Sequence, residues 1–175
     1  MDVINIDDEE NVDWLRRKKS LTVGELFRAA GLTTHGPVSW NEDATEKRAG
    51  IYVIALASRP DETCDKISMP RFEDAGVLRR WNLGQTVVYI GRTKRSLRKR
   101  IHEFYKHRHG DPRPHKGGQD VKLLSLPLWV YWCPTDDCAR AEEKMIDFFR
   151  GEVGRLPFAN RVRSARVNVE NRAAI

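Results

Sequence analysis

The densest group of side chains able to do chemistry lies between residues 79 and 116. There, twelve Lys or Arg residues stand against two acids, Glu103 and Asp111, and four of the five histidines fall in the same stretch. Guanidinium and ammonium groups gathered in this way attract polyanions, and an arginine can grip a phosphate through paired N–H donors. The alternative is a solvated helix face, but such faces interleave both signs, as Glu142, Glu143 and Lys144 do later. The run is therefore read as one cationic surface for a polyanion. The formal net charge of +6 and pI of about 9.4 ask for an anionic partner without choosing among nucleic acid, acidic protein and membrane. Cys133 and Cys138 raise a zinc reading, but no second Cys or His pair has the usual spacing, and they are read as core residues.

The elements that must position these groups follow from the apolar pattern. Leu21, Leu26 and Phe27, with Thr22 and Glu25 spaced as a capping box, predict a helix closed by Gly31. Residues 33–48, with Gly36 and Pro37, are expected to be an exposed connection. The β-branched, apolar run GIYVIALA at 50–57 predicts a buried strand, and 86–90 a second. Between them, 58–84 reads as a polar insertion holding a short helix around Val77, Leu78 and Trp81. A helix is expected to begin near Ser96, because Leu97, Ile101 and Phe104 recur at helical spacing while Arg98, Lys99 and Arg100 fill the other side. A loop at 109–118 leads to a third strand candidate at 124–132, starting at Pro127. Thr135, Asp136 and Asp137 then open a helix with Ala141, Met145, Ile146 and Phe149 on its apolar stripe, ending at Gly151 or Gly154.

In this order of elements, Gly50-Ile51-Tyr52 and Tyr89-Ile90-Gly91 match the two signature triplets of the GIY-YIG nuclease superfamily, which the chain resembles from about residue 50 to 160. SLRKRI at 96–101 resembles the family's helix motif and selects Arg100, with Arg98 as its nearest rival. Glu142-Glu143-Lys144-Met145-Ile146 resembles the metal-binding helix and selects Glu142, with Glu143 as the fallback. Pro157-Phe158-Ala159-Asn160 resembles the terminal motif, whose asparagine braces the site. Five motif pieces in the right order are far more specific than one triplet. One position departs: many members carry His or Tyr four residues after the catalytic Arg, where this chain has Phe104. His102, Tyr105 or the loop residue His109 are the replacements to consider.

The resemblance implies phosphodiester hydrolysis, and the residues suit it. A single carboxylate such as Glu142 can hold one Mg²⁺ or Mn²⁺ whose other ligands are water and phosphate. Arg100 can fork onto nonbridging phosphate oxygens. Tyr52 is the implied general base or water orienter. A phenol titrating near 10 needs cationic neighbours for that role, and Arg92 or Lys94 can provide one. Tyr89 would hold Tyr52 or the water. Lys94, Arg95, Arg98 and Lys99, with Arg79 and Arg80 from the insertion, are expected to contact the DNA backbone.

The expected architecture is α/β of the α+β type: a small, mainly antiparallel three-stranded sheet flanked by helices. Its parts are an N-terminal helical extension and linker (1–48), a GIY-YIG-like domain (49–160) and a basic tail (161–175). The expected activity is that of a sequence-specific restriction endonuclease on double-stranded DNA, acting as a homodimer. A repair or homing nuclease, or a catalytically silent DNA-binding module, are the alternatives. No apolar run is long enough to span a membrane and the N-terminus is acidic, so a cytoplasmic protein with no membrane partner is expected. Three cysteines, Cys64 included, fit a reducing compartment.

Overall fold

The computed structural model describes residues 20–63, 75–111 and 118–161. The acidic N-terminus, residues 64–74 of the polar insertion, part of the 109–118 loop and the basic tail after Arg161 lie outside the described residues. The elements run α1 (Val23–Ala29), β1 (His35–Ser39), β2 (Gly50–Ala55), α2 (Ala75–Leu78), β3 (Val87–Thr93), α3 (Leu97–Lys106), a 3-10 helix (Gln119–Leu123), β4 (Trp129–Pro134) and α4 (Cys138–Val153). The sheet has four strands in the order β1-β4-β2-β3, and every pairing is antiparallel. The α+β class is as expected; the strand count is not.

The extra strand is β1, within the segment expected to be an exposed connection. It carries His35, Gly36 and Pro37, has no buried residue, and pairs only with β4, with an irregularity between His35 and Val38. Proline is tolerated at such edges and bulges because no ladder N–H is demanded there. That tolerance also strips the segment of the apolar alternation that would reveal a strand. β4 starts at Trp129, two residues after Pro127.

β2 lies between β3 and β4, and all six of its residues are buried. A strand covered on both faces has no reason to alternate, which explains its continuous apolar run. Ile51, Val53 and Ala55 face a core built with α1 and α4. Tyr52 and Ile54 face a second core with Leu97, Ile101 and Phe104 of α3. Cys133 and Cys138 both sit in the first core as free thiols.

α1 is part of this body. Its N-cap Thr22 and Glu25 form the reciprocal capping box, and Gly31 beyond it takes a positive φ of 73°. Leu21, Val23, Leu26 and Phe27 are fully buried. The Leu21 backbone is held by Gln85 and Thr86 ahead of β3, at 3.1 and 2.8 Å. α4 is capped by Asp137, two residues after the expected Thr135, and ends at Gly154 with φ 80°. Thr135 instead continues the sheet, its N–H donating to the Ala49 carbonyl at 3.1 Å. Among the described residues, no helix is long and apolar enough to cross a membrane.

Because Phe27 belongs to the common core, Phe27→Ala should lower the unfolding free energy of the whole body by about 3–5 kcal/mol in one transition. A urea melt followed by tryptophan fluorescence reads this directly. An unchanged main transition would instead make α1 a separable appendage.

Candidate active site

Tyr52 and Tyr89 come together because the residue opposite Tyr52 has no side chain. In the β2–β3 register Tyr52 faces Gly91 and Ile54 faces Tyr89, which puts both phenols on one face of the sheet. Their ring centroids are 5.9 Å apart. A Cβ on Gly91 would lie 2.6 Å from carbons of both rings and 2.7 Å from the Tyr52 hydroxyl. Gly118 closes the other side: its Cβ would meet the Tyr89 ring at 2.8 Å, and its φ of 82° is one that L side chains rarely adopt. Gly50, the first residue of the other triplet, is needed for another reason, since a Cβ there would press on Leu97 of α3 and Pro134 of β4 at 2.9 Å.

α3 brings Arg100 to the pair. The helix begins where expected, with Ser96 as its cap, and Leu97, Ile101 and Phe104 anchor it. Phe104, one turn beyond Arg100, stacks edge-on against Tyr89 at 5.7 Å and Tyr52 at 6.4 Å. The Tyr52 hydroxyl is fully buried and makes no hydrogen bond of ordinary geometry. Burial pushes its phenol above the usual range, and the charge of Arg100 offsets only part of that. Tyr89 is pushed further up, by burial and by the neighbouring Tyr52. The cation acting on Tyr52 is thus Arg100 and not Arg92.

Arg92 has a different partner. It sits opposite Ile51, on the face covered by α4, and its Nε donates to Glu142 Oε2 at 2.6 Å. Burial works against the charged guanidinium, but Glu142 outweighs it and leaves the Arg92 pKa raised. With 13% of its side chain exposed, Glu142 is no ordinary surface carboxylate. Of the two adjacent acids it is the one that reaches β3. Its charge is felt at both tyrosines, pushing them up. Since β3 is an edge strand, Glu142 lies around that edge from the phenols. Among the described residues no three His, Cys, Asp or Glu side chains gather as a metal site. What Glu142 offers is one hard oxygen donor, suited to an ion that keeps most of its water.

Asn160 braces the same edge. Its side chain pairs with both backbone groups of Ile90, Oδ1 accepting from the N–H at 3.0 Å and Nδ2 donating to the carbonyl at 2.8 Å. The Ala159 N–H adds a bond to the Val88 carbonyl at 3.0 Å.

The three candidates to replace the residue at Phe104 are elsewhere. Tyr105 packs on Trp40 and donates to the Glu42 carbonyl at 2.7 Å. His102 Nδ1 lies 2.9 Å from Asp43. His109 points at Asp120, 3.5 Å away. Helical geometry is the reason for the first two: residues at i+3 and i+4 share the face of Arg100, whereas His102 at i+2 and Tyr105 at i+5 do not.

Of the expected DNA contacts, Lys94, Arg95, Arg98 and Lys99 are exposed. Arg95 pairs with Glu103 at 2.8 Å and Arg98 with Asp43 at 3.5 Å, so part of the cationic run is locally balanced. Arg79 is exposed, with its carbonyl accepting from Arg155. Arg80 is bound to Asp120. Asp120 itself is fully buried, and sequence reasoning missed it. An acid in a polar stretch flanked by glycines gave no signal of burial.

All four tyrosines have raised phenol pKa values, with burial the largest cause in each. An absorbance titration of the native protein should therefore show little phenolate at pH 10, where free tyrosine is half ionised. The corresponding stability is complete below the unfolded value near 10 and is lost as pH rises through the folded values. Normal titration of one or more tyrosines in the folded state would contradict this packing. Gly91→Ala should destabilise the protein by about 1–3 kcal/mol through overpacking. Gly151→Ala, in open space on α4, should stabilise it by about 0.5–1 kcal/mol. Equal unfolding midpoints for the two variants would refute the steric argument. Set against models of known protein families, curated proteins and solved structures, the chain matches none.

Proposed function

We propose that the chain is a metal-dependent endonuclease that hydrolyses phosphodiester bonds of double-stranded DNA, of the sequence-specific restriction type and active as a homodimer. The observation that carries this reading is the gathering of Tyr52, Tyr89 and Arg100 on one side of β3, with Glu142 around its edge and Asn160 clamped to its backbone. The motif resemblance picks out the same residues.

In this reading Arg100 grips nonbridging oxygens of the scissile phosphate and stabilises the charge that grows there. Tyr52, neutral at rest because of its burial, aligns the attacking water through its hydroxyl. Tyr89 supports that phenol from the neighbouring strand. Glu142 would hold Mg²⁺ or Mn²⁺, which when bound supplies charge stabilisation to the leaving oxygen. Arg92 keeps the Glu142 carboxylate at the β3 edge until then. Asn160 stiffens the strand that carries Tyr89.

A second reading has its own support. Glu142 is already neutralised by Arg92, and Tyr52 is far from a phenolate, as a silent DNA-binding module could tolerate. Supercoiled plasmid with Mg²⁺ or Mn²⁺ separates the two. Wild type should cut, EDTA should stop it, and Glu142→Ala should abolish cutting. Arg100→Ala should slow it about 100- to 1,000-fold. Tight binding with no metal-dependent cleavage would establish the silent module. Sequencing the cut ends separates a fixed recognition site, expected here, from the scattered or structure-directed cuts of a repair nuclease.

A further inference from the structure

On the other side of Asn160 a cleft of about 630 Å³ is lined by Arg80, His109, Asp120, Arg155, Phe158 and Arg161. Its floor is a carboxylate with no exposure, Asp120, which would be costly to bury alone. Arg80 binds one of its oxygens. Arg161 binds both, Nε to Oδ2 at 3.2 Å and Nη2 to Oδ1 at 2.6 Å. Burial would raise the Asp120 pKa, but these two guanidiniums outweigh it and the carboxyl stays ionised. Two fixed cations against one anion leave a single positive charge. Arg155 adds a second, and protonated His109 would add a third.

The paired guanidiniums are also held in orientation. Arg161 keeps 49% and Arg80 34% of the side chain exposed, so each has N–H groups left for the cleft. Phe158 backs Arg80, whose guanidinium carbon lies 6.0 Å from the ring centroid. A metal cation is a poor occupant, because the one carboxylate is already consumed. A tetrahedral oxyanion fits the fork donors. The cleft shares Asn160 with β3, one residue from Tyr89 along that strand through Ile90.

We propose that this cleft is a second phosphate subsite, taking a backbone phosphate of the nucleic acid strand away from the one to be cut. The identity of the anion rests on the nuclease reading; the charge and geometry do not. Asp120 acts as a positioning residue that holds two arginines toward the strand.

The test is duplex DNA binding in EDTA, by fluorescence anisotropy across a KCl series. Arg155→Gln leaves the Asp120 network intact and should weaken binding about tenfold for any sequence, with the slope of log K against log salt shallower by about 1. Arg161→Lys keeps the charge but loses the bidentate grip, and should weaken binding less with the slope unchanged. Arg28→Gln, exposed on α1, is the control for one lost charge and should change neither. Wild-type affinity and slope in Arg155→Gln overturn the subsite. So does saturation of the cleft by inorganic phosphate, at constant ionic strength, with duplex affinity unaffected. Because no step requires cleavage, a shallower slope in a protein that does not cut DNA supports the subsite while the nuclease reading fails. Cleavage with an unchanged slope sinks the subsite alone.

Discussion

The absence of a side chain at Gly91 is the constraint on which the site depends. β2 and β3 are paired residue by residue, so whatever stands opposite Tyr52 shares its face of the sheet. With a methyl group there, neither phenol could keep its place. The same crowding reaches outward. Tyr89 presses on Gly118, which must adopt a left-handed conformation, and this turn leads directly into the 3-10 helix carrying Asp120. Phe104 then fills the space above both rings and fixes the rotation of α3, which decides that Arg100 faces the phenols and that His102 and Tyr105 do not. One steric allowance thus sets the orientation of a strand, a turn and a helix.

β3 is one end of the sheet order, and an unpaired edge is a place where another strand can add. Here the edge is occupied by the segment that follows α4. Ala159 supplies one backbone bond, and the Asn160 amide imitates a strand residue by both donating and accepting at Ile90. A side chain can do this at one position without the length of a strand. The consequence is positional. The segment that closes the edge also separates two charged regions, Glu142 with Arg92 on the α4 face and Asp120 with its arginines in the cleft.

The elements that carry strong periodic signals were legible in the sequence. β2 is a buried apolar run, α3 has its Leu97, Ile101 and Phe104 stripe with Ser96 as cap, and Thr22 with Glu25 forms the capping box its spacing implies. β1 was not legible, because an edge strand with Gly36 and Pro37 carries no burial pattern. The start of α4 was misplaced by two residues, since Thr135 and Asp137 are both good caps and only the pairing of Thr135 with Ala49 decides between them. Among candidate site residues, the triplets singled out Tyr52 and Tyr89, which the sheet brings together, but they could not assign Arg92 to Glu142. That pairing follows from the alternation of faces along β3, one residue past Gly91. Asp120 depends on arginines 40 and 41 residues away and leaves no local trace.

Phe104 ties these points to the chemistry. A histidine or tyrosine at that position would bring a polar atom beside Tyr52, whereas a phenyl ring adds to its desolvation and holds the proton on the phenol. Lys122 also stands beside the Phe104 ring, its Nζ 5.8 Å from the centroid and bonded to the Tyr105 carbonyl at 2.7 Å. Burial, which raises the Tyr52 phenol, lowers the pKa of that lysine. Both groups are held closer to neutrality by burial, and Arg100 is the cation whose charge acts on the Tyr52 hydroxyl. An arginine cannot serve as a proton acceptor. Under the proposed nuclease reading, the proton of the attacking water would leave through solvent or the phosphate itself, with Tyr52 directing the water and not collecting its proton.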